Sequence, residues 1–401
     1  MDLHVVIVSD DARASGGASA VALASAKALA ARDVRVTLFA GRGPVDDEAR
    51  AALHEVVCLE RGASNREQGG LVRGLWDRES AAALERCLEA CGPRPIVHFH
   101  SFADVLTGSV TAVPHPPGSR AVFTLHEYGL ACPYGGFYNY RTQAPCGRRG
   151  LSVKCWATAC STAPYPRKVW RAVRLSLQKA RGGAPRADAA YLCVSEFSRD
   201  LLRPYLPERA RVELLPNPIE VEDRGPAQVA KSEEFVYLGR LTEEKGAEVF
   251  AAAAERAGVR AKFVGDGEER ARLAAAYPSC EFAGWLPADG AQRALRGARA
   301  LVFPSRLYET LGMAVLEAAA MGVPAIVSDA TAASGSIEPG VNGLVFRSGD
   351  TRALADALLA MTPEAAAPMG AEAHRRFWAD PPTMERHVDG LLKVYKELLE
   401  A

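Results

Sequence analysis

Two carboxylates stand out by their isolation. Between Ala300 and Asp329 the chain reads ALVFPSRLYETLGMAVLEAAAMGVPAIVSD, and before Asp329 its only acids are Glu309 and Glu317, with seven residues between them. At about 1.5 Å per helical residue they lie roughly 12 Å apart, about the span from sugar to ribose in a nucleotide diphosphate sugar. Carboxylates at those two points would take hydroxyl groups. The turn Thr310, Leu311 and Gly312 between them would offer free backbone N–H groups and the positive end of a helix dipole to a bridging diphosphate. The same spacing also suits a helix cap at Glu309 and an ordinary exposed or paired helix residue at Glu317.

The elements that must hold these residues form one βαβ unit. It comprises a buried strand Ala300–Phe303, a loop through Pro304 and Ser305, a helix from about Leu311 to Met321, and a second buried strand Ala325–Val327. Upstream, a strand Phe235–Leu238 runs into Gly239, Arg240, Leu241, Lys245 and Gly246 before a helix over Ala247–Ala257. Arg240 and Lys245 at that helix mouth would neutralise a diphosphate from the side opposite Leu311 and Gly312, although single surface cations are commonplace. A strand Ala261–Val264 ends in the tight turn Gly265-Asp266-Gly267.

The first half has the same rhythm. A strand His4–Ser9 leads through Gly16 and Gly17 into a helix Ala18–Ala31 and a strand Val34–Phe39. A dinucleotide fold needs GxGxxG and an acid after the second strand; this turn has only Gly16-Gly17, and the strand ends Phe39-Ala40-Gly41, which argues against NAD. Adjacent glycines still let a backbone approach a ligand closely, or simply make a tight turn. Strands Ile96–His100, Ala121–Leu125, Ala190–Val194 and Val212–Leu215 follow, with helices Ser80–Cys91 and after Ser195. Such alternation implies a parallel sheet covered on both faces, with ligands at the carboxyl ends of its strands. His126 and Glu127 stand at one such end, and His98 and His100 straddle another. His126 is a candidate for substrate contact or for a structural role.

Residues 128–187 hold no acid and eleven Lys or Arg, in a chain whose formal net charge is zero. Within them RKVWRAVRLSLQKAR (167–181) reads as a basic amphipathic helix with an interfacial Trp170. That pattern suits peripheral contact with an anionic membrane, and equally a packed helix with a solvated basic face. Nucleic acid is disfavoured because no fold signature accompanies the charge. The segment also carries Cys132, Cys146, Cys155 and Cys160, spaced x13, x8 and x4. Four thiols among arginines suit a structural tetrahedral zinc, with free thiols or disulfides as the alternatives, since the paired CxxC knuckles are missing. Cys58, Cys87, Cys91, Cys193 and Cys280 read as core.

A chain of 401 residues, 48% hydrophobic, has the size of two domains. The polar stretch from Leu215 to Ser232 reads as the linker. No apolar run reaches the ~18 residues of a transmembrane helix. The opening MDLHVVIVSD is unlike a secretory signal, so a cytoplasmic location with reduced thiols is expected, peripheral at the inner face of the cell membrane if the basic helix binds lipid.

The ordered set Gly16-Gly17, His126, Ser195-Glu196, Pro216-Asn217-Pro218, Gly239-Arg240-Leu241 with Lys245-Gly246, Gly265-Asp266-Gly267, Glu309 to Gly312, Glu317 and Pro339 to Gly343 resembles the retaining glycosyltransferases of family 4 along essentially the whole chain. The resemblance implies an α/β GT-B fold of two facing Rossmann-like, doubly wound parallel-sheet domains. It places an acceptor-binding domain at 1–218, with 128–187 inserted, a nucleotide-sugar-binding domain at 219–381, and a helix at 382–401 crossing back. It also implies that Glu309 binds donor-sugar hydroxyls, that Glu317 binds the ribose, and that Arg240 and Lys245 clamp the diphosphate with the backbone of Gly17, Leu311 and Gly312. His126 would stand by the transferred sugar. Catalysis would need no metal cofactor. The donor would be UDP- or GDP-linked, and the acceptor a glycan or lipid-linked saccharide in polysaccharide or envelope assembly. Glu127 stands where the family often has Asp, and Leu311 where it often has Phe. A sugar-nucleotide epimerase and a catalytically inactive scaffold or partner module are the rival readings.

Overall fold

The computed structural model describes residues 3–62, 70–181 and 183–400. In chain order the strands are β1 (His4–Asp11), β2 (Arg35–Arg42), β3 (Glu55–Cys58), β4 (Ile96–Phe99), β5 (Arg120–Leu125), β6 (Tyr138–Asn139), β7 (Ala144–Pro145), β8 (Ala190–Cys193), β9 (Arg211–Leu214), β10 (Glu234–Leu238), β11 (Arg260–Val264), β12 (Glu281–Gly284), β13 (Ala300–Phe303), β14 (Ala325–Ser328) and β15 (Gly343–Phe346). They divide between two compact units. The first comprises 1–136, 148–218 and 382–401; the second comprises 137–147 and 219–381.

The first unit is built on a seven-stranded parallel sheet in the order β3-β2-β1-β4-β5-β8-β9. The central β1, HVVIVSDD, is buried along its whole length, as an unalternating apolar run must be when helices cover both faces. β3 has no counterpart in the sequence reading. It is a four-residue edge strand, partly exposed, too short to show a period. The helix Met384–Glu400 completes this unit. Its apolar residues Val388, Leu391, Val394, Tyr395 and Leu398 recur at helical spacing and pack into the core with Val5, Ile7, Leu38 and Leu192. Burying each such large side chain contributes about 1.5–3 kcal/mol. Two histidines fix the helix further: His387 Nδ1 bonds the Pro216 carbonyl at 3.0 Å, and the Tyr395 hydroxyl meets His98 at 2.7 Å.

The second unit holds a six-stranded parallel sheet, β12-β11-β10-β13-β14-β15, around Phe235, Phe250, Phe263, Leu301 and Ile326. Both sheets are doubly wound: in each, the fourth strand of the main sheet lies against the first, so the connections diverge at that point and leave a crevice beyond the strand ends. The turns after β10, β11 and β12 stack on one another. The Gly239 N–H bonds Val264 O, the Gly265 N–H bonds Gly284 O, and a Cβ on Gly265 would run into the Gly239 carbonyl, so glycine is required there. No helix among the described residues is long and apolar enough to cross a membrane.

Candidate active site

In the second unit the chemistry gathers beyond the carboxyl ends of β10 and β13. The turn Glu243–Lys245 closes through Gly246 at φ +72, and this glycine packs directly against the Pro304 carbonyl, where a side chain would collide. That close approach delivers Lys245 to Glu309: Nζ stands 2.5 Å from Oε1, and the Ser305 hydroxyl donates to the same oxygen at 2.9 Å. Both members of the ion pair are largely shielded, with side chains 21% and 15% exposed. Lys245 and Glu309 are therefore partners across 64 residues of sequence, and a ligand would exchange with a preformed pair. Arg240 follows β10, is exposed, and pairs with no carboxylate among the described residues. Its carbonyl accepts from the buried Tyr237 hydroxyl at 2.6 Å, which lies close enough to Glu309 to feel its charge.

The helix after β13 spans Met313–Ala320 and begins two residues later than its sequence suggests, because Gly312 takes a left-handed φ of +86 as its N-cap. Glu317 accordingly stands about one turn inside the helix instead of two. Its carboxyl makes no hydrogen bond among the described residues, and burial pushes its pKa above the ordinary glutamate range. A carboxylate kept half-buried with no partner beside a helix N-terminus retains its full capacity to accept hydrogen bonds. Thr310 and Leu311 complete the turn between the two acids.

In the first unit, Gly16 and Gly17 open the helix Gly17–Ala30. Gly16 is extended, at φ −174, and a Cβ on either glycine would meet nothing within 4 Å. Neither backbone strain nor packing calls for glycine here, and the bare surface at the helix mouth is open to a ligand. His126, just past β5, bonds His100 Nδ1 through its Nε2 at 3.0 Å, and His98 lies beneath, held by Thr124 at 2.7 Å. Burial pulls His126 down to about 3 and His98 and His100 well below the usual imidazole range, so all three are neutral. The buried Asp10 accepts the backbone N–H groups of Asp104, Val105 and Leu106 at 2.9–3.0 Å and fixes the loop after β4. Nothing in the sequence marked it.

The zinc expectation requires correction. The ammonium of Lys168, 2% exposed, donates to Cys155 Sγ at 3.4 Å and Cys160 Sγ at 3.5 Å, and Cys146 belongs to the second unit. Burial lowers the Lys168 pKa, but the thiols of Cys160, Cys155 and Cys132 outweigh it and the net shift is upward. A cation already stands between two of the sulfurs, and among the described residues no group of three or more His, Cys, Asp or Glu could hold a metal. The basic helix, Tyr165–Ala180, likewise turns cations inward. Lys168 is buried, Arg171 lies over the Tyr134 ring at 4.6 Å, and Arg174 Nη1 donates to Ala103 O at 2.7 Å. Trp170 is fastened to Leu71 O at 2.9 Å and packs on Gly74. Trp285, which follows Gly284 at the end of β12, is 73% exposed.

Comparison with known proteins identifies the family of the chain. The profile of Glycosyltransferase Family 4 matches residues 15–223, and that of the Glycosyl transferases group 1 matches residues 232–362. A GDP-mannose-dependent alpha-mannosyltransferase of Corynebacterium glutamicum is 35% identical over 110 residues, 27% of this chain and 26% of that protein; its Mycolicibacterium smegmatis counterpart is 34% identical over 110 residues, 27% and 29%. The chain thus spans little more than a quarter of the length of the curated relatives it matches. Among solved structures, sucrose-phosphate synthase from Thermosynechococcus elongatus aligns with a TM-score of 0.72 at 18% identity, covering 99% of both chains. Anabaena HepE in complex with UDP and glucose aligns at 0.68 with 13% identity, covering 98% of this chain and 100% of that one. With a family profile spanning more than half its length and two Rossmann-like parallel-sheet domains, the chain belongs to Glycosyltransferase Family 4.

Proposed function

We propose that the protein transfers a sugar, with retention of anomeric configuration, from a nucleoside diphosphate sugar to a hydroxyl of a glycan or lipid-linked saccharide. The observation that carries this reading is the second unit's arrangement of Glu309 with Lys245, unpaired Arg240 and unpartnered Glu317 around the mouth of the helix Met313–Ala320. Glu317 takes the ribose hydroxyls. Arg240, Lys245 and the N–H groups of Leu311 and Gly312 hold the diphosphate, while Glu309 binds hydroxyls of the transferred sugar. The acceptor oxygen attacks C1 on the face from which the diphosphate departs. The C1–phosphate oxygen bond breaks, the C1–acceptor oxygen bond forms, and the acceptor's proton passes to the leaving phosphate. The cations and helix terminus stabilise that charge in place of a metal.

A guanosine diphosphate hexose is the first donor to test, because curated relatives that share a stretch with this chain are GDP-mannose-dependent mannosyltransferases. Membrane proximity of the acceptor would draw on the outward side of the basic segment, where Val153, Lys154 and Arg167 are exposed. Calorimetric titration with GDP-mannose, UDP-glucose and the bare diphosphates, followed by transfer to a glycan acceptor with the product anomer assigned by NMR, tests the whole reading. Binding of none of these ligands would refute it, and an inverted product would refute the mechanism.

A further inference from the structure

Lys168 stands where an apolar residue belongs. The helix Tyr165–Ala180 turns Lys168, Ala172, Leu175 and Gln178 inward at helical spacing, and the lysine is 2% exposed. Residues 128–187 hold no acid, and Lys168 pairs with no carboxylate among the described residues. Its ammonium has instead Cys155 Sγ at 3.4 Å and Cys160 Sγ at 3.5 Å, with the Tyr134 ring centroid at 5.5 Å. Burial lowers the Lys168 pKa, but charge on Cys160, Cys155 and Cys132 raises it by more, so the group stays protonated.

The local structure holds the sulfurs in place. Ser152 caps the short helix Val153–Trp156 by accepting the Cys155 N–H at 3.2 Å. The Trp156 carbonyl accepts from the Tyr165 hydroxyl at 2.6 Å, which ties that turn to the start of the lysine's helix. A thiol in apolar surroundings is inert, whereas one beside an ammonium attacks readily, because the cation stabilises charge on sulfur. Two thiols on one ammonium supply both halves of a disulfide.

We propose that Cys155 and Cys160 form an oxidation site for hydrogen peroxide, closing to a disulfide beside the Lys168 ammonium. One sulfur attacks a peroxide oxygen, the O–O bond breaks and water leaves, giving a sulfenic acid. The second sulfur attacks the sulfenic sulfur, the S–O bond breaks, the S–S bond forms, and a second water leaves with the second thiol's proton. Two thiols are oxidised and one peroxide is reduced to two waters. A protonated Lys168 is no nucleophile, so a thiol and not the amine resolves the sulfenic acid. A disulfide carries no charge, and its formation strips the buried ammonium of the partners that hold it. Oxidation therefore loosens the helix Tyr165–Ala180, which carries Arg174 to the Ala103 carbonyl.

The test is graded hydrogen peroxide on the full chain, followed by alkylation of the remaining thiols, peptide mapping and limited trypsin digestion. Cys58 and Cys280 are internal controls, since both are more exposed than the pair and neither hydrogen-bonds a cation among the described residues. Cys155 and Cys160 should be lost together, about tenfold faster than Cys58 and Cys280, and recovered as one linked pair that dithiothreitol releases. Cleavage after Arg171 and Arg174 should rise about tenfold in the oxidised protein and return to its starting rate on reduction. Cys160→Ser should abolish the link and leave trypsin cleavage unmoved by peroxide. In Lys168→Met the pair's oxidation should slow to the rate of the two controls. Controls that react first, a link formed elsewhere, or cleavage unchanged on oxidation would overturn the proposal, and these wild-type measurements decide it even where Lys168→Met fails to fold.

Discussion

Replacing Glu317 by Gln should move stability and ligand binding in opposite directions. The substitution keeps the shape of the side chain and removes its charge. In the free protein the carboxylate has no hydrogen-bond partner among the described residues, and burial raises its pKa. A carboxyl whose folded pKa exceeds its unfolded value favours the fold at acid pH and loses that contribution as pH rises from the unfolded value through the folded one. At pH 7 the ionised group therefore opposes folding, and Glu317→Gln should leave the unliganded melting temperature unchanged or higher. With ligand bound the sign reverses. Ribose hydroxyls donating to a carboxylate make charge-assisted bonds of about 1.5–3 kcal/mol, and losing roughly one such bond to the amide weakens binding about 10- to 150-fold. Calorimetry with GDP and UDP reads the affinity without any contribution from the sugar, and calorimetric melting at pH 5 and 7 reads the stability. Binding within twofold of wild type would refute the ribose role. A fall of more than about 2 kcal/mol in unliganded stability would show instead that the carboxylate is a structural ion.

Other substitutions separate packing from binding. Gly265→Ala, at φ +136 with its Cβ driven into the Gly239 carbonyl, should destabilise by at least about 1–3 kcal/mol, read by urea denaturation, whereas a stable variant would show that the stacked turns can relax. Gly17→Ala meets no protein atom within 4 Å and should stabilise the free protein by up to about 0.5–1 kcal/mol while weakening diphosphate binding; unchanged affinity would detach the glycine turn from the ligand. Lys245→Ala strips Glu309 of its partner at 2.5 Å, and transfer should fall by about 100-fold or more, with a loss below threefold arguing against the clamp. Because His98, His100 and His126 remain neutral in the fold, the unfolded chain takes up protons first as pH drops below about 6.5. Denaturant stability should fall with a slope of up to about 1.4 kcal/mol per pH unit for each histidine, and a flat profile between pH 7 and 5 would contradict their burial.

The rhythm of strands and helices was legible because parallel sheets covered on both faces leave unbroken apolar runs such as HVVIVS and ALVF. The glycines were legible where they punctuate those runs. Glu309 and Glu317 stood out because their surroundings are so poor in charge. What sequence could not show was direction and partnership. The bond between Lys245 and Glu309 depends on Gly246 packing against Pro304, a contact made only in three dimensions. Counting cations in 167–181 could not reveal that Lys168, Arg171 and Arg174 turn inward, nor could cysteine spacing reveal an ammonium between two thiols. The hairpin of β6 and β7 was invisible because two-residue strands have no period.

The helix Met384–Glu400 has a consequence for how the protein is made. A chain emerging from the ribosome presents the strands of the β1 sheet before those of the second sheet, but side chains that finish its core, Leu391 and Tyr395 among them, are translated after every strand of both. The usual order, in which the leading domain folds before the trailing one, cannot run to completion here. The second unit has all its strands by Phe346 and can close while the first still exposes the apolar stripe that awaits the helix. That interval is when a nascent chain most needs a chaperone. Deleting residues 382–401 should therefore damage the unit whose sheet was synthesised before the other.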